Sequence, residues 1–172
     1  MFGTMRETKK VLDKLKIPFW LDAGTLLFAI RENRCDPQDI DFSISYKNVN
    51  KLLSGLNLFL LKGFRIGNVY SYPKKGLVEL ALIHNNFKVD IFIKFFRGYW
   101  AYHITSWPYL IVAKFPNKYF KKFDKFSMDG VKWNVPNNPK KYLFVYYGKD
   151  WEIPNPKWKP TDAFCIDKEW II

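Results

Sequence analysis

The chain has 172 residues, 28 Lys+Arg against 16 Asp+Glu for a formal charge of +12, and 48% hydrophobic content. That length suits a single domain with a sizeable core, and so apolar a composition excludes wholesale disorder. No apolar run approaches the roughly 20 residues that cross a bilayer, and the opening MFGTMRETKK lacks the apolar stretch of a secretory signal.

Met5, Val11, Leu12 and Leu15 recur at helical spacing across Thr4–Lys16, and Pro18 stops that helix. Phe19–Leu21 reads as a short buried strand, and Gly24 opens a second helix running through Leu27 and Ile30 toward Glu32. Asp39–Tyr46 alternates strictly: Ile40, Phe42, Ile44 and Tyr46 on one side, Asp39, Asp41, Ser43 and Ser45 on the other. That is the pattern of a strand. Val49–Leu61 is expected as one helix ending near Gly63, followed by a turn rich in Gly and Lys.

Leu77–Ile83 and Phe87–Phe95 predict two strands joined in a hairpin at Asn85-Asn86, and Tyr99–Thr105 adds a further strand. The basic, aromatic KFPNKYFKKFDKF, beginning at Lys114, reads either as core aromatics with solvated lysines or as a track for a nucleic-acid backbone; core is preferred. Asp129-Gly130 marks a second hairpin tip. Asn138 can cap a helix with Pro139 in its first position, and Gly148 is placed to end it. The tail, residues 152–172, carries Pro154, Pro156 and Pro160 and is expected to wrap the surface. Helices and strands in this order define one α+β domain with a mixed β-sheet flanked by helices.

Two cysteines, Cys35 and Cys165, make neither a disulfide framework nor a zinc pattern, and a reducing, cytoplasmic setting is expected. His84 and His103 are too few and too separated for a zinc site, and ordinary hydrogen-bonded roles are expected for both. No G-x-S-x-G and no Cys–His signature points to acyl-enzyme chemistry. The positive charge favours a polyanionic or phosphorylated partner.

The chemistry-bearing signal is Asp39-Ile40-Asp41. Residues two apart on a strand point the same way, about 6–7 Å apart, where two carboxylates repel by roughly 2–3 kcal/mol at an effective dielectric near 20. A divalent, oxygen-seeking cation reverses that sign, and Mg²⁺ takes one or two carboxylates plus substrate phosphates. Two solvated aspartates on a strand edge remain the plain alternative. Asp90, in FKVDIFIKF, shares a face with Lys88 and Lys94 and can supply a third carboxylate from a neighbouring strand, or simply belong to a surface charge ladder. Gly24-Thr25 lies just after a strand at a helix start, where free backbone N–H groups can hold an anion.

Strand, Gly-Thr, helix, D-x-D strand and a later strand with a lone Asp resemble the nucleotidyltransferase (polymerase-β-like) superfold. DAGTLLFAIR is similar to the G-T-L-L-G-x-x-R segment of the LicD/fukutin family, and VPNNPKKYLFVYYGKDW to that family's closing V-P, Asn, Y-L and Y-G-x-D-W pattern. The likeness runs from about Phe19 to Trp151. It implies a Mg²⁺-dependent transferase, with Mn²⁺ as a possible substitute, that moves a phospho-alcohol from a nucleotide-activated donor to a glycan or other hydroxyl acceptor. Carried over by position, Asp39, Asp41 and Asp90 hold the metal and form the catalytic set, Asp90 alternatively helping to take the acceptor proton. Gly24 and Thr25 hold phosphate, and Arg31 neutralises it. Here Asp36-Pro37-Gln38-Asp39-Ile40-Asp41 stands where the family has an acid-rich W-D-D-D-x-D stretch, and Phe28 stands where it commonly has Gly. Phe28 lies one turn beyond Gly24, so it is expected to narrow the donor pocket or pack beneath it. Two other readings stand beside this one: NMP transfer from an NTP to a small molecule or RNA end, and a catalytically silent nucleic-acid-binding domain.

Overall fold

The computed structural model describes residues 1–36, 38–73, 75–105, 111–163 and 165–167; Pro37, of the departing acidic segment, lies outside them. The first helix, α1 (Phe2–Lys14), is followed by β1 (Phe19–Leu21), α2 (Ala23–Glu32) and β2 (Asp39–Ser45). Helices α3 (Val49–Ser54) and α4 (Leu56–Leu60) come next, then β3 (Arg65–Tyr72), β4 (Gly76–His84), β5 (Phe87–Arg97), β6 (Trp100–Thr105) and β7 (Ile111–Pro116). A hairpin, β8 (Phe123–Met128) and β9 (Val131–Pro136), and α5 (Pro139–Tyr147) complete the named elements.

Among the described residues seven strands form one mixed sheet in the order β1-β2-β5-β4-β3, with β6 paired to the far half of β5 and β7 to β6. The parallel pair is β2 with β5, and the β8–β9 hairpin packs against β1 through Asn134, whose side-chain amide donates to the Phe19 carbonyl at 2.8 Å. Both faces of β2 are buried, because apolar side chains fill one and α2 closes the other. One apolar cluster joins α1, β1, β2, β5, the hairpin and α5 through Met5, Phe42, Trp133 and Tyr142. The fold is the α+β, helix-flanked mixed sheet that the chain order implies.

Turn chemistry places the elements as read. Asn85 and Asn86 both adopt left-handed φ (49° and 65°), as do Asp129 and Gly130 (51° and 69°), the geometry of a tight two-residue hairpin turn. Asn138 accepts from the Lys141 N–H with Pro139 in the first helical turn, and Gly148 follows at φ 88°.

Four expectations change. The helix over 49–61 is broken at Gly55, where an added Cβ would lie 2.3 Å from Leu15 Cδ2; the Leu15 side chain at the end of α1 packs against the bare Cα, and any larger residue would have to displace it. The turn after Gly63 instead contains the edge strand β3, whose exposed, irregular residues hide the alternation that marks a strand. The tail does not merely wrap: Ile166 bridges Ala113, and the Lys114 N–H donates to the Cys165 carbonyl at 2.7 Å, extending the sheet past β7. Lys94 is no surface ladder residue but fully buried. The basic aromatic stretch is core, as preferred: Phe115, Tyr119 and Phe120 are buried around Tyr142.

Candidate active site

Parallel pairing of β2 with β5 sets Asp41 directly beside Asp90, and Asp39 beside Lys88. Register partners on adjacent strands lie about 5 Å apart with side chains on one face. Asp41 is 6% exposed and Asp90 3%. Burial first, and then the neighbouring Asp90 charge, push the Asp41 carboxyl well above its ordinary range. Burial likewise lifts Asp90 to about 6, against the pull of Lys88. Lys88 donates to Asp90 Oδ2 at 2.7 Å, whereas Asp90 Oδ1 is buried with no partner among the described residues.

The turn between β1 and α2 brings further carboxylates in. Asp22 caps α2 by accepting from the Ala23 N–H at 2.9 Å, with Ala23 held at φ 44°. A Cβ on Gly24 would lie 2.3 Å from Asp36 Oδ2 and 3.1 Å from Asp41 Oδ2, so glycine lets these acids approach the helix start. The Thr25 N–H donates to Asp41 Oδ2 at 3.1 Å, and the Thr25 hydroxyl accepts from the Asp41 N–H at 2.7 Å. The hydroxyl expected to hold phosphate is therefore spent on holding the D-x-D strand. Arg31 is paired with Glu32 at 2.5 Å and stacked on Phe28, with Arg34 also over the Phe28 ring. Phe28 thus carries two guanidinium groups at the edge of α2.

Beneath the site lies a network that the sequence reading missed. Asp22 and Lys94, both fully buried, pair at 2.8 Å. Asp22 also accepts from the Ser43 hydroxyl at 2.6 Å and the Tyr142 hydroxyl at 2.7 Å. Burial alone would raise the Asp22 carboxyl, but the Lys94 charge and the hydrogen bonds from Lys94 and Ser43 outweigh it and hold it below its ordinary value. Burial, with the Lys94 charge, depresses His103 to about 3, so this imidazole is neutral. His84 accepts or donates to the Thr4 hydroxyl at 2.9 Å and stacks on Phe64. Glu79 on β4 was also missed: 6% exposed, it is raised to about 7 by burial and then by Asp90. Its signal was a lone charge in the otherwise apolar GLVELALIH.

The structure thus brings Asp41, Asp90 and Asp36 to the start of α2 and sets Asp39 two residues back along β2, opposite Lys88. Among the described residues no three carboxylate, imidazole or thiol groups cluster tightly enough to make a ready-made cation site. The donor chemistry nevertheless fits a divalent cation: crowded, buried carboxylates that repel one another, and one buried oxygen with nothing to bond.

A sheet of this topology with paired acids at a Gly-Thr helix start belongs to the nucleotidyltransferase class of folds. Solved structures of similar fold include the solution structure of the antibiotic-resistance factor ANT(2'')-Ia, with TM-score 0.56 and 15% identity over 92% of this chain and 76% of that one. The crystal structure of ANT(2'')-Ia in complex with adenylyl-2''-tobramycin matches with TM-score 0.52 and 14% identity, over 92% and 81%. Residues 16–138 match the family LicD/FKTN/FKRP, nucleotidyltransferase domain, and the chain belongs to that family. It is 29% identical to the ribitol-5-phosphate transferase FKTN of Macaca fascicularis and to that of Homo sapiens, in each case over 87% of this chain and 32% of the relative. An uncharacterised protein of Rickettsia prowazekii, RP689, is 27% identical over 49% of this chain and 33% of its own length. The chain therefore spans about a third of the length of these curated relatives. Among the described residues no helix is long and apolar enough to cross a membrane.

Proposed function

We propose that this chain transfers a phosphate-linked alcohol from a nucleotide-activated donor to a hydroxyl acceptor, with a divalent cation, Mg²⁺ or Mn²⁺, at Asp41, Asp90 and Asp39. The observation that carries the reading is the side-by-side burial of Asp41 and Asp90, with Asp90 Oδ1 unpartnered. Repulsion in a buried pair is a standing cost that a structural role would not select, and a cation removes it. Such an ion would neutralise donor phosphate charge, which supplies much of the catalysis in phosphoryl transfer.

The chain's own groups set up the rest. Thr25 holds Asp41 from both its N–H and its hydroxyl, so the α2 N-terminus orients the carboxylate. Lys88 fixes Asp90 through Oδ2 and leaves Oδ1 free. Gly24 keeps backbone against the acids where a side chain would block the donor's approach. Family membership, and FKTN relatives named as ribitol-5-phosphate transferases, support a phospho-alcohol as the transferred group and a glycan or small molecule as acceptor.

Thermal shifts with CDP-ribitol, CDP-choline, CTP, ATP and UTP, each with and without Mg²⁺, test this. A Mg²⁺-dependent shift with a CDP-alcohol is expected. A shift confined to an NTP would favour NMP transfer, to a small molecule or an RNA end. Nucleotide-independent, salt-sensitive RNA binding would favour the nucleic-acid-binding reading.

A further inference from the structure

Pairing across β2, β5 and β4 lines up Asp41, Asp90 and Ala81 on one face of the sheet. Glu79 lies two residues before Ala81 on β4, hence on that same face, diagonal to Asp90. Diagonal neighbours of an antiparallel pair are about 7–8 Å apart, and the other two corners of that square are the methyl of Ala81 and the ring of Phe92. The separation suits one substrate group held between the two carboxylates.

Glu79 is also unusual in its surroundings. It is 6% exposed, yet among the described residues it makes no hydrogen bond and no ion pair; Lys88, the nearby cation, is spent on Asp90. The Glu79 oxygens are not among the buried polar atoms that lack a partner, so they keep contact with solvent and stand open to a ligand. Its strand neighbours Leu77, Val78, Leu80, Ala81 and Leu82 are all apolar and buried, so packing alone would be better served by Leu. Asp90 is already engaged beside Asp41: one oxygen holds Lys88, and the other is buried rather than open to solvent.

Resting on the transferase reading above, we propose that Glu79 is the catalytic residue that accepts the proton of the incoming hydroxyl. As the acceptor oxygen forms its bond to phosphorus, the bond from phosphorus to the nucleotide's phosphate oxygen breaks and its electron pair leaves with the nucleotide. The O–H proton passes to a Glu79 oxygen. Asp90 remains with Asp41 on the donor side, and β4 supplies the acceptor side. The role gives the unpartnered carboxylate its missing partner, the substrate hydroxyl.

The test compares the wild-type chain with Glu79→Gln and Glu79→Leu, using the CDP-alcohol donors above and alcohol acceptors of graded acidity, ethanol through trifluoroethanol. Melting temperature and Mn²⁺ affinity by electron paramagnetic resonance are read in parallel. The expected result is a loss of about 100-fold in transfer to ethanol. The loss should be clearly smaller with trifluoroethanol, which gives up its proton more readily. Mn²⁺ affinity should be unchanged and the melting temperature equal to or above wild type. Rates within threefold of wild type, or an equal loss across all alcohols, would overturn the proposal. A parallel loss of Mn²⁺ affinity would overturn it in favour of a metal-ligand role. If wild type itself transfers nothing from any of the donors, the transferase reading falls and this proposal falls with it.

Discussion

Lys94→Met removes one partner of an ion pair whose two side chains are both fully buried, 2.8 Å apart. The loss leaves Asp22 as a buried negative charge, and breaking such a pair costs about 3–5 kcal/mol. Asp22 keeps the Ser43 and Tyr142 hydroxyls and the Ala23 N–H, which places the expected cost near the lower end. Phe115, whose ring lies 4.7 Å from the Lys94 ammonium, loses a favourable contact as well. At about 2–4 °C per kcal/mol for a chain of this size, the melting temperature should fall by roughly 6–16 °C. Calorimetry and urea unfolding at pH 7 measure this directly. The double variant Asp22→Asn, Lys94→Met carries no stranded charge, keeps a capping oxygen, and should recover most of the loss. The sign with pH also follows. Lys94 is the main influence holding the Asp22 carboxyl below its ordinary value, so the pair's stabilisation is present at neutral pH and fades in acid as Asp22 protonates. The gap between wild type and Lys94→Met should therefore narrow below about pH 4. A cost under 1 kcal/mol at pH 7, or a double variant weaker than the single one, would refute the reasoning.

Asp90 and Glu79 titrate high in the fold, at about 6 and about 7 against ordinary values of 3.8 and 4.5. Their contribution is thus full in acid and lost as pH rises from about 4 to 7, at most about 3 kcal/mol each; metal-free melting temperature should fall across that window, Mg²⁺ should flatten the fall, and a flat metal-free profile would refute the assignment. Asp41→Asn should abolish turnover while leaving the fold intact, checked by activity beside circular dichroism; loss of the fold would make the carboxylate structural. Gly24→Ala forces Asp36 or Asp41 away from a Cβ they would meet at 2.3 and 3.1 Å, so Mn²⁺ affinity should drop at least tenfold, and unchanged affinity would remove the acids from the metal site. Phe28→Gly removes the ring beneath two guanidinium groups that stay paired with Glu32, at a cost of about 1–3 kcal/mol from propensity and packing; it should alter relative rates among nucleotide donors, and unchanged ratios would leave Phe28 a packing residue only.

Local order in the chain was enough for much of this protein. Alternation over 39–46 marks β2, Asn85-Asn86 and Asp129-Gly130 fix two hairpins, and the Asn138–Gly148 cap signals bound the last helix, because turn and cap chemistry is set by a few adjacent residues. The D-x-D on β2, the Gly24-Thr25 helix start and the family motifs made the class of protein legible as well. What the tertiary structure decided is which distant residues meet. A parallel pairing between strands about 50 residues apart sets Asp41 beside Asp90, and no local pattern specifies that register. Lys94 shares a strand face with Lys88, yet one is fully buried and the other 40% exposed, since burial depends on α5 delivering Tyr142 and on Asp22 arriving from β1. Gly55 and Thr25 make the same point. Each residue type reads locally as a helix interior or a phosphate cradle, and each takes its role from a neighbour, Leu15 or Asp41, that only folding brings near.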